Sequence, residues 1–478
     1  MTKPIKIMLF SISGFLGLLI ICTLLLISIV DINSYKSELE TTASRALGMG
    51  VSINGGVEIG LFQGLLITLA DVHIRNNEDR DIASVSKIKL GIDLLPLLKK
   101  EIRIVSITLK QPSISLETDS EGNFNFRRQQ TAAARLPVLN LKDISFSDGT
   151  FYYANKQSGD KFEASECSMD MSQLQFAGGQ WADLMKNLYL TAELDCEVAR
   201  RNDFAMSDFK LKADGNNGMF DVEPITMQLF GAQGTGSIQA NFSDAVPRYE
   251  VSFSLPKFRI EEFFKTLSPN KKKVAEGEVD FSANLSMQGK AVDQMKQTMG
   301  GQFSLRGDNL TLFGKDIDQS LSQFEASQSF NLVDMGAFFF AGPLGTVVTK
   351  GYRFASIFQG DGGRSDIRTL ISDWKMEHGV AQAQDVALAT NENRIALRGG
   401  LDFINQQYDD MTVAVIDEKG CAKAQQKIRG SFQQPVVEKP SILESLSAPL
   451  IDLLERGRDL FSDGECEVFY AGSITVPK

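Results

Sequence analysis

The sequence predicts a mainly β protein: an elongated, curved antiparallel sheet with a groove-like, taco-like section, few short helices and one N-terminal transmembrane helix. Three observations predict it. Apolar and polar residues alternate with period two along most of the chain, the pattern of strands with one apolar and one wet face. Turn-forming clusters recur at short intervals, which fits hairpin-connected meanders better than βαβ units. Residues 7–30 contain no charged residue and are dominated by Leu, Ile and Phe.

The apolar N-terminal run is long enough to span a bilayer. About 24 residues at 1.5 Å rise give about 36 Å, against a hydrocarbon core of about 30 Å. Lys3 and Lys6 precede it and Asp31 follows. Positive charge stays inside, so the N-terminus is expected in the cytoplasm and the body outside it. The rival reading is a cleaved signal peptide, but such an apolar region is shorter, and Val30-Asp31-Ile32-Asn33 makes a poor cleavage site. The 14-residue apolar stretch at 335–348 is too short to cross; a buried core segment is favoured over an interfacial one.

Along the body, alternating runs include Ile102, Ile104, Ile107 and Leu109, with Ile114 and Leu116 after Pro112. Others are Leu188, Leu190, Ala192 and Leu194; Val251, Phe253 and Leu255; Val279, Phe281, Ala283 and Leu285; Ile395 and Leu397, then Leu401 and Phe403; and finally Val468, Tyr470 and Ile474. The clusters Ser147-Asp148-Gly149, Asp214-Gly215-Asn216-Asn217-Gly218 and Arg398-Gly399-Gly400 read as turns. A weak repeat places a polar residue ahead of an alternating run at Asp71, Asp143, Asn309 and Asp385, as if each opened a strand. Helices are expected over 34–50, 92–98, 259–267, 291–299 and 317–330. Leu443, Leu446, Leu450, Leu453, Leu454 and Leu460 form a further stripe at helical spacing, expected to face a core.

Chemistry is sparse. The chain has two histidines, His73 and His378, far apart in sequence. There is no zinc-protease helix motif, no nucleophile elbow and no phosphate-binding glycine loop. Neither a catalytic residue, a metal nor a cofactor is predicted. A net charge of −11, from 49 basic and 60 acidic residues, excludes the basic footprint that nucleic-acid binding needs. Beyond Cys22, four cysteines remain and allow three pairings. Sequence proximity favours Cys167–Cys196 and Cys421–Cys466, consistent with an exported body. The one-sided strands need cover. A second sheet would supply it in a sandwich. An open curved sheet would instead leave an apolar trough suited to acyl chains.

The sequence resembles the AsmA family. The resemblance runs through the N-terminal apolar run, then residues 65–74 (LLITLADVHI), 87–98 (KIKLGIDLLPLL), 104–116 (IVSITLKQPSISL), 121–126 (EGNFNF) and 139–153 (LNLKDISFSDGTFYY). It resumes at 330–351, 415–430 and 466–477. The resemblance implies an inner-membrane anchor, a periplasmic body and a role in outer-membrane biogenesis, with phospholipid acyl chains carried along an apolar β-groove. The chain reads as four regions: 1–33 as cytoplasmic tip and anchor, 34–155 as the N-terminal β region that carries the resemblance, 156–300 as a middle β region outside it, and 301–478 as the similar C-terminal β region with a terminal helix. Candidate groove residues are Phe253, Phe281, Leu285 and Phe403. The alternative is an assembly or regulatory factor for outer-membrane proteins, contacting an outer-membrane or periplasmic protein through sheet edges.

Overall fold

The computed structural model describes residues 36–60, 64–76, 79–97, 101, 103–121, 124–125, 138–179, 183–202, 204–267, 273–314, 316–327, 363–439, 441–442 and 466–477. The expected anchor at 7–30, the apolar stretch at 335–348 and the leucine stripe at 443–460 lie outside them. Among the described residues no helix is long and apolar enough to cross a membrane. The chain divides between Asn202 and Asp203 into two units, a division that falls inside the expected middle region.

Unit 1 begins with helix α1 (Lys36–Leu47), ended by Gly48 at φ 70°. Its strands are β1 (Gly50–Ile53), β2 (Val57–Gly60), β3 (Leu65–Arg75), β4 (Asp81–Ile92), β5 (Ile104–Thr118), β6 (Leu139–Asn155), β7 (Lys161–Phe176) and β8 (Leu188–Arg201). Two single-turn helices, α2 (Leu94–Leu97) and α3 (Leu184–Asn187), join β4 to β5 and β7 to β8. β1 and β2 lie end to end on β3, and the order then runs β3-β4-β5-β6-β7-β8. The β5–β6 pair is parallel, which corrects the all-antiparallel expectation. The reason is the long connection from 119 to 138: it returns the chain to the end where β5 began, so β6 sets out in the same direction.

Unit 2 is an antiparallel meander. Its strands are β9 (Phe204–Asn216), β10 (Met219–Leu229), β11 (Ala232–Asn241), β12 (Arg248–Arg259), β13 (Ala275–Glu276), β14 (Glu278–Gln288), β15 (Gly300–Gly314), β16 (Gly363–Glu377), β17 (Val380–Ala389), β18 (Arg394–Asp402), β19 (Gln407–Ile416), β20 (Ala422–Gly430), β21 (Pro435–Val437) and β22 (Ser441–Ile442). Each pairs with its neighbour in this order, except that β12 and β15 flank β14, β13 caps β15, and both β21 and β22 pair with β20. The Asn217-Gly218 turn between β9 and β10 has φ 48° and 83°, the left-handed pair that a tight hairpin demands. Helices α4 (Ile260–Leu267), α5 (Val292–Thr298) and α6 (Ile317–Ser327) match three of the expected ones.

Several expected turns lie inside strands. Ser147-Asp148-Gly149 is the middle of β6 and Arg398-Gly399-Gly400 the middle of β18. Asp71, Asp143, Asn309 and Asp385 likewise sit within β3, β6, β15 and β17 rather than opening them. Except at Asp143, which sits in regular ladder, polar and glycine residues at these points mark local bulges and kinks, which share turn chemistry but keep the ladder going. The run Val468–Ile474 is also corrected. Apart from one bridge to Cys421 it is irregular, and it lies as a strap over the far side of β17–β19.

Two disulfides are present, Cys167–Cys196 between directly paired residues of β7 and β8, and Cys421–Cys466 at the root of the strap. The strap buries Phe469, Tyr470 and Ile474 against Ala387, Ala396 and Ala414. The Tyr470 hydroxyl donates to Asp385 at 2.5 Å, and Arg394 donates to the Ile474 carbonyl at 3.0 Å. Burial, and then the bond to Asp385, hold the Tyr470 phenol well above its ordinary pKa.

Candidate functional site

The cross-strand register puts the apolar residues of unit 1 on one face. Leu69 pairs with Ile88, Ile88 with Leu109, Leu109 with Phe146, Phe146 with Met169 and Met169 with Leu194. A second line runs Ile67, Leu90, Ile107, Ile144, Met171 and Ala192 through the same strands. The opposite face is lined by Thr108, Ser145, Asp170 and Glu193.

A crease crosses this face. Asp71, Gln111, Asp148 and Glu166 have φ of 54°, 51°, 56° and 53°, and the register aligns them across β3, β5, β6 and β7. In each strand the apolar spacing stretches at this level from two residues to three: Leu69 to Val72, Ile88 to Val85, Leu109 to Pro112, Phe146 to Gly149, Ala164 to Cys167 and Cys196 to Ala199. A left-handed residue turns the backbone over, so without the extra step the apolar set would change face. Asn and Asp visit this conformation at lowest cost, which explains the aspartates. Gly149 is needed because a Cβ there would stand 3.0 Å from the Phe146 ring, which packs edge-on to Phe151 at 5.5 Å. Val72, Val85, Pro112, Gly149, Cys167 and Cys196 are buried along the crease, whereas Ile67, Leu69, Ile88, Leu90, Ile107, Leu109, Ile144, Phe146, Met169 and Met171 are half-buried. Unit 1 thus has a buried spine flanked by apolar side chains partly open to solvent.

In unit 2 Leu211, Ile225, Met227 and Ile238 of β9–β11 are likewise half-buried, and the face closes from β12 onward. Phe258, Leu310, Leu312, Ile367 and Leu370 are at most 1–2 % exposed, and Ile260, Phe263, Ile317 and Leu321 from α4 and α6 join the same cluster. Of the four candidate groove residues, Phe281 is buried at 5 %, and Phe253, Leu285 and Phe403 are half-buried at the margin of that cluster. The structure brings Phe253, Phe281 and Leu285 together: Phe253 pairs with Ala283, between the other two, and the Phe253 and Phe281 rings are 6.2 Å apart. Phe403 stands apart, edge-on to Phe432. The half-open residues of β3–β8 were not among the candidates. Their signal was the same period-two pattern, carried by Ile, Leu and Met rather than Phe.

Polar clusters are of a different kind. His73 lies 2.9 Å from Asp81 and 3.0 Å from Asp71, and these bonds, Asp81 first, raise its pKa above the ordinary value. Arg75 also binds Asp81 at 2.9 Å. On the polar face of unit 2 a cleft of about 690 Å³ is lined by Ser282, Asn284, Gln302, Ser304, Arg306 and Asp373, among others. Asp373 there accepts from Ser304 and Arg306 at 2.5 Å each. These carboxylates are engaged in ion pairs and hydrogen bonds along strands. Among the described residues no group of three or more His, Cys, Asp or Glu side chains is placed to hold a metal.

Fold and site together define a β-sheet protein with a one-sided apolar surface. The model of the AsmA family matches residues 1–187, so this part of the chain is similar to that family. No curated protein matches it.

Proposed function

We propose that this protein is anchored in the inner membrane through residues 7–30, with its body in the periplasm, and that it handles phospholipids for outer-membrane biogenesis. Acyl chains would lie on the apolar face of β3–β8, with head groups at its polar margins, and a bend at the crease would make that face a groove. The supporting observation is the half-buried apolar face itself. Each buried CH₂ of an acyl chain is worth about 0.8 kcal/mol. The contact is non-directional, so a chain can bind without losing the ability to slide. The match of residues 1–187 to the AsmA family supports the same reading, as does the resemblance at 330–351, 415–430 and 466–477.

The test is photocrosslinking in the full chain, with a photoreactive residue at Ile144 on the apolar face or at Ser145 on the polar face. Phospholipid adducts from position 144, and few from 145, support the proposal. Adducts to a protein alone from position 144 would replace it with the assembly-factor reading.

A further inference from the structure

The polar face of unit 2 carries a cleft of about 690 Å³, a volume in the range of small-ligand sites, roughly 300–1,000 Å³. Strands β14, β15 and β16 build it from two neighbouring rows of side chains. One row is Ser282, Ser304 and Asp373, and the other is Asn284, Gln302 and Lys375. Residues two apart in a strand share a face, and the alternate residues Phe281, Ala283, Phe303 and Trp374 are buried on the other side. The two rows therefore stand together on the solvent face, on strands about 4.8 Å apart. β17 adds a further side. Its pairing with β16 slips between Asp373–Asp385 and Trp374–Ala383. The slip leaves Gln384 without an opposite residue, exposed and lining the cleft. A bulge of this kind re-aims a side chain.

The groups left over decide what the cleft can take. Its two cations are already matched. Arg306 donates to Asp373 at 2.5 and 3.3 Å, and the Lys375 ammonium lies 2.6 Å from Glu377. An anion would find no unmatched positive charge among these lining residues. An extended peptide would need a free sheet edge, and β14, β15 and β16 are each paired on both sides. By contrast, the side chains of Ser282, Asn284 and Gln302 have no hydrogen-bond partner among the described residues. The Gln384 amide reaches only backbone carbonyls, at 3.5 Å. Each amide offers N–H donors and a carbonyl acceptor, and a hydroxyl does both. Neutral groups of both kinds, held on paired strands, match a ligand that is uncharged and carries hydroxyls at short, regular spacing.

We infer that this cleft is a glycan-binding site: an uncharged sugar chain lies across β14–β16, its hydroxyls bound by Asn284 and Gln302, with Ser282 on one side and Gln384 on the other. An N-acetylated sugar suits it equally, because an acetamido group pairs donor to acceptor with a side-chain amide. The aromatic residues that line the cleft, Phe303 and Trp374, stack on each other and are at most 8 % exposed, so no ring face is open to a sugar. The affinity of one site is accordingly low, on the order of millimolar, and a polymer raises it by offering repeated units. The inference does not rest on lipid handling, which is assigned to β3–β8.

The test uses the full chain in nanodiscs, with the tetramer of N-acetylglucosamine as probe and saturation-transfer NMR as the readout of contact. The expected result is transfer to the acetyl protons of the tetramer. Asn284→Ala with Gln302→Ala should lower it several-fold, and Gln239→Ala, at an exposed glutamine of β11, should leave it unchanged. The substituted side chains are all exposed, and a melting curve matching the wild type checks that the fold is kept. No transfer to the tetramer, or transfer that survives the double substitution, overturns the inference. Displacement of the tetramer by inorganic phosphate would make the cleft an anion site and overturns the glycan assignment as well.

Discussion

Units 1 and 2 are built on the same strand pattern, yet unit 1 leaves its apolar face half open, whereas unit 2 seals it from β12 onward. In unit 2 helices α4 and α6 lie on the sheet and deliver Ile260, Phe263, Ile317 and Leu321 into the cluster formed by Phe258, Leu310, Leu312 and Ile367, whereas α5 buries no residue. In unit 1 the corresponding connections are single-turn helices. α3 buries no residue, and α2 exposes Leu94 and Leu95. The strap adds to the asymmetry by covering the second face of β17–β19. Period-two alternation thus sets which face is apolar, and the connections set whether that face becomes core or surface.

The comparison breaks most readily at its cores. Phe258→Ala in unit 2 is expected to cost about 3–5 kcal/mol, as for other fully buried phenylalanines. Phe146→Ala in unit 1 should cost less than half as much. Hydrogen exchange under denaturant, read separately in each unit, measures both, and equal losses would mean that the unit 1 face is a closed core after all. Next in size are the cross-links. Replacing Cys167 and Cys196 by Ser should lower unit 1 stability by about 2–4 kcal/mol. In that variant, amide protection should fall in β7 and β8, with unit 2 unchanged. Tyr470→Phe sharpens the other side of the comparison. It removes the hydroxyl that donates to Asp385 and accepts from the Ile474 N–H, for an expected cost of about 1–2 kcal/mol. Faster exchange in β17 and around Ile474 would report the loosened strap.

The smallest expected effect is a pH dependence confined to unit 1. The folded-state pKa of His73 is raised, Asp81 and then Asp71 being the cause. Its contribution to stability is therefore full below the unfolded value of about 6.5, and is lost as pH rises through the higher folded value. Melting of the full chain at a series of pH values, with His73→Asn as control, measures it. A wild-type slope that survives the substitution would assign the effect to other groups.

Much of the fold was legible. The alternation at Val251–Leu255 and Val279–Leu285 became β12 and β14, and Asn217-Gly218 became the hairpin turn expected of it. Four of the six described helices followed closely from periodicity, whereas α2 kept only part of the expected 92–98 span. The crease was not legible as such. Asp71, Asp148 and Asn309 were visible as polar interruptions, but an interruption has the same composition whether the strand ends or kinks. The site was legible only in outline, because alternation marks Phe281, which unit 2 buries, and Ile144 and Met171, which unit 1 leaves half open, in the same way.

The sequence by itself determined that the protein is mainly β, that its strands are apolar on one side, and which cysteines are near enough in sequence to pair. It did so because strand periodicity and turn chemistry are local properties, set within a few residues. The tertiary structure decided the parallel β5–β6 pair, the alignment of four left-handed residues into one crease, and which stretches of the apolar face received cover. Those outcomes depend on register between strands far apart in sequence and on the reach of the connecting helices, and no local window contains either.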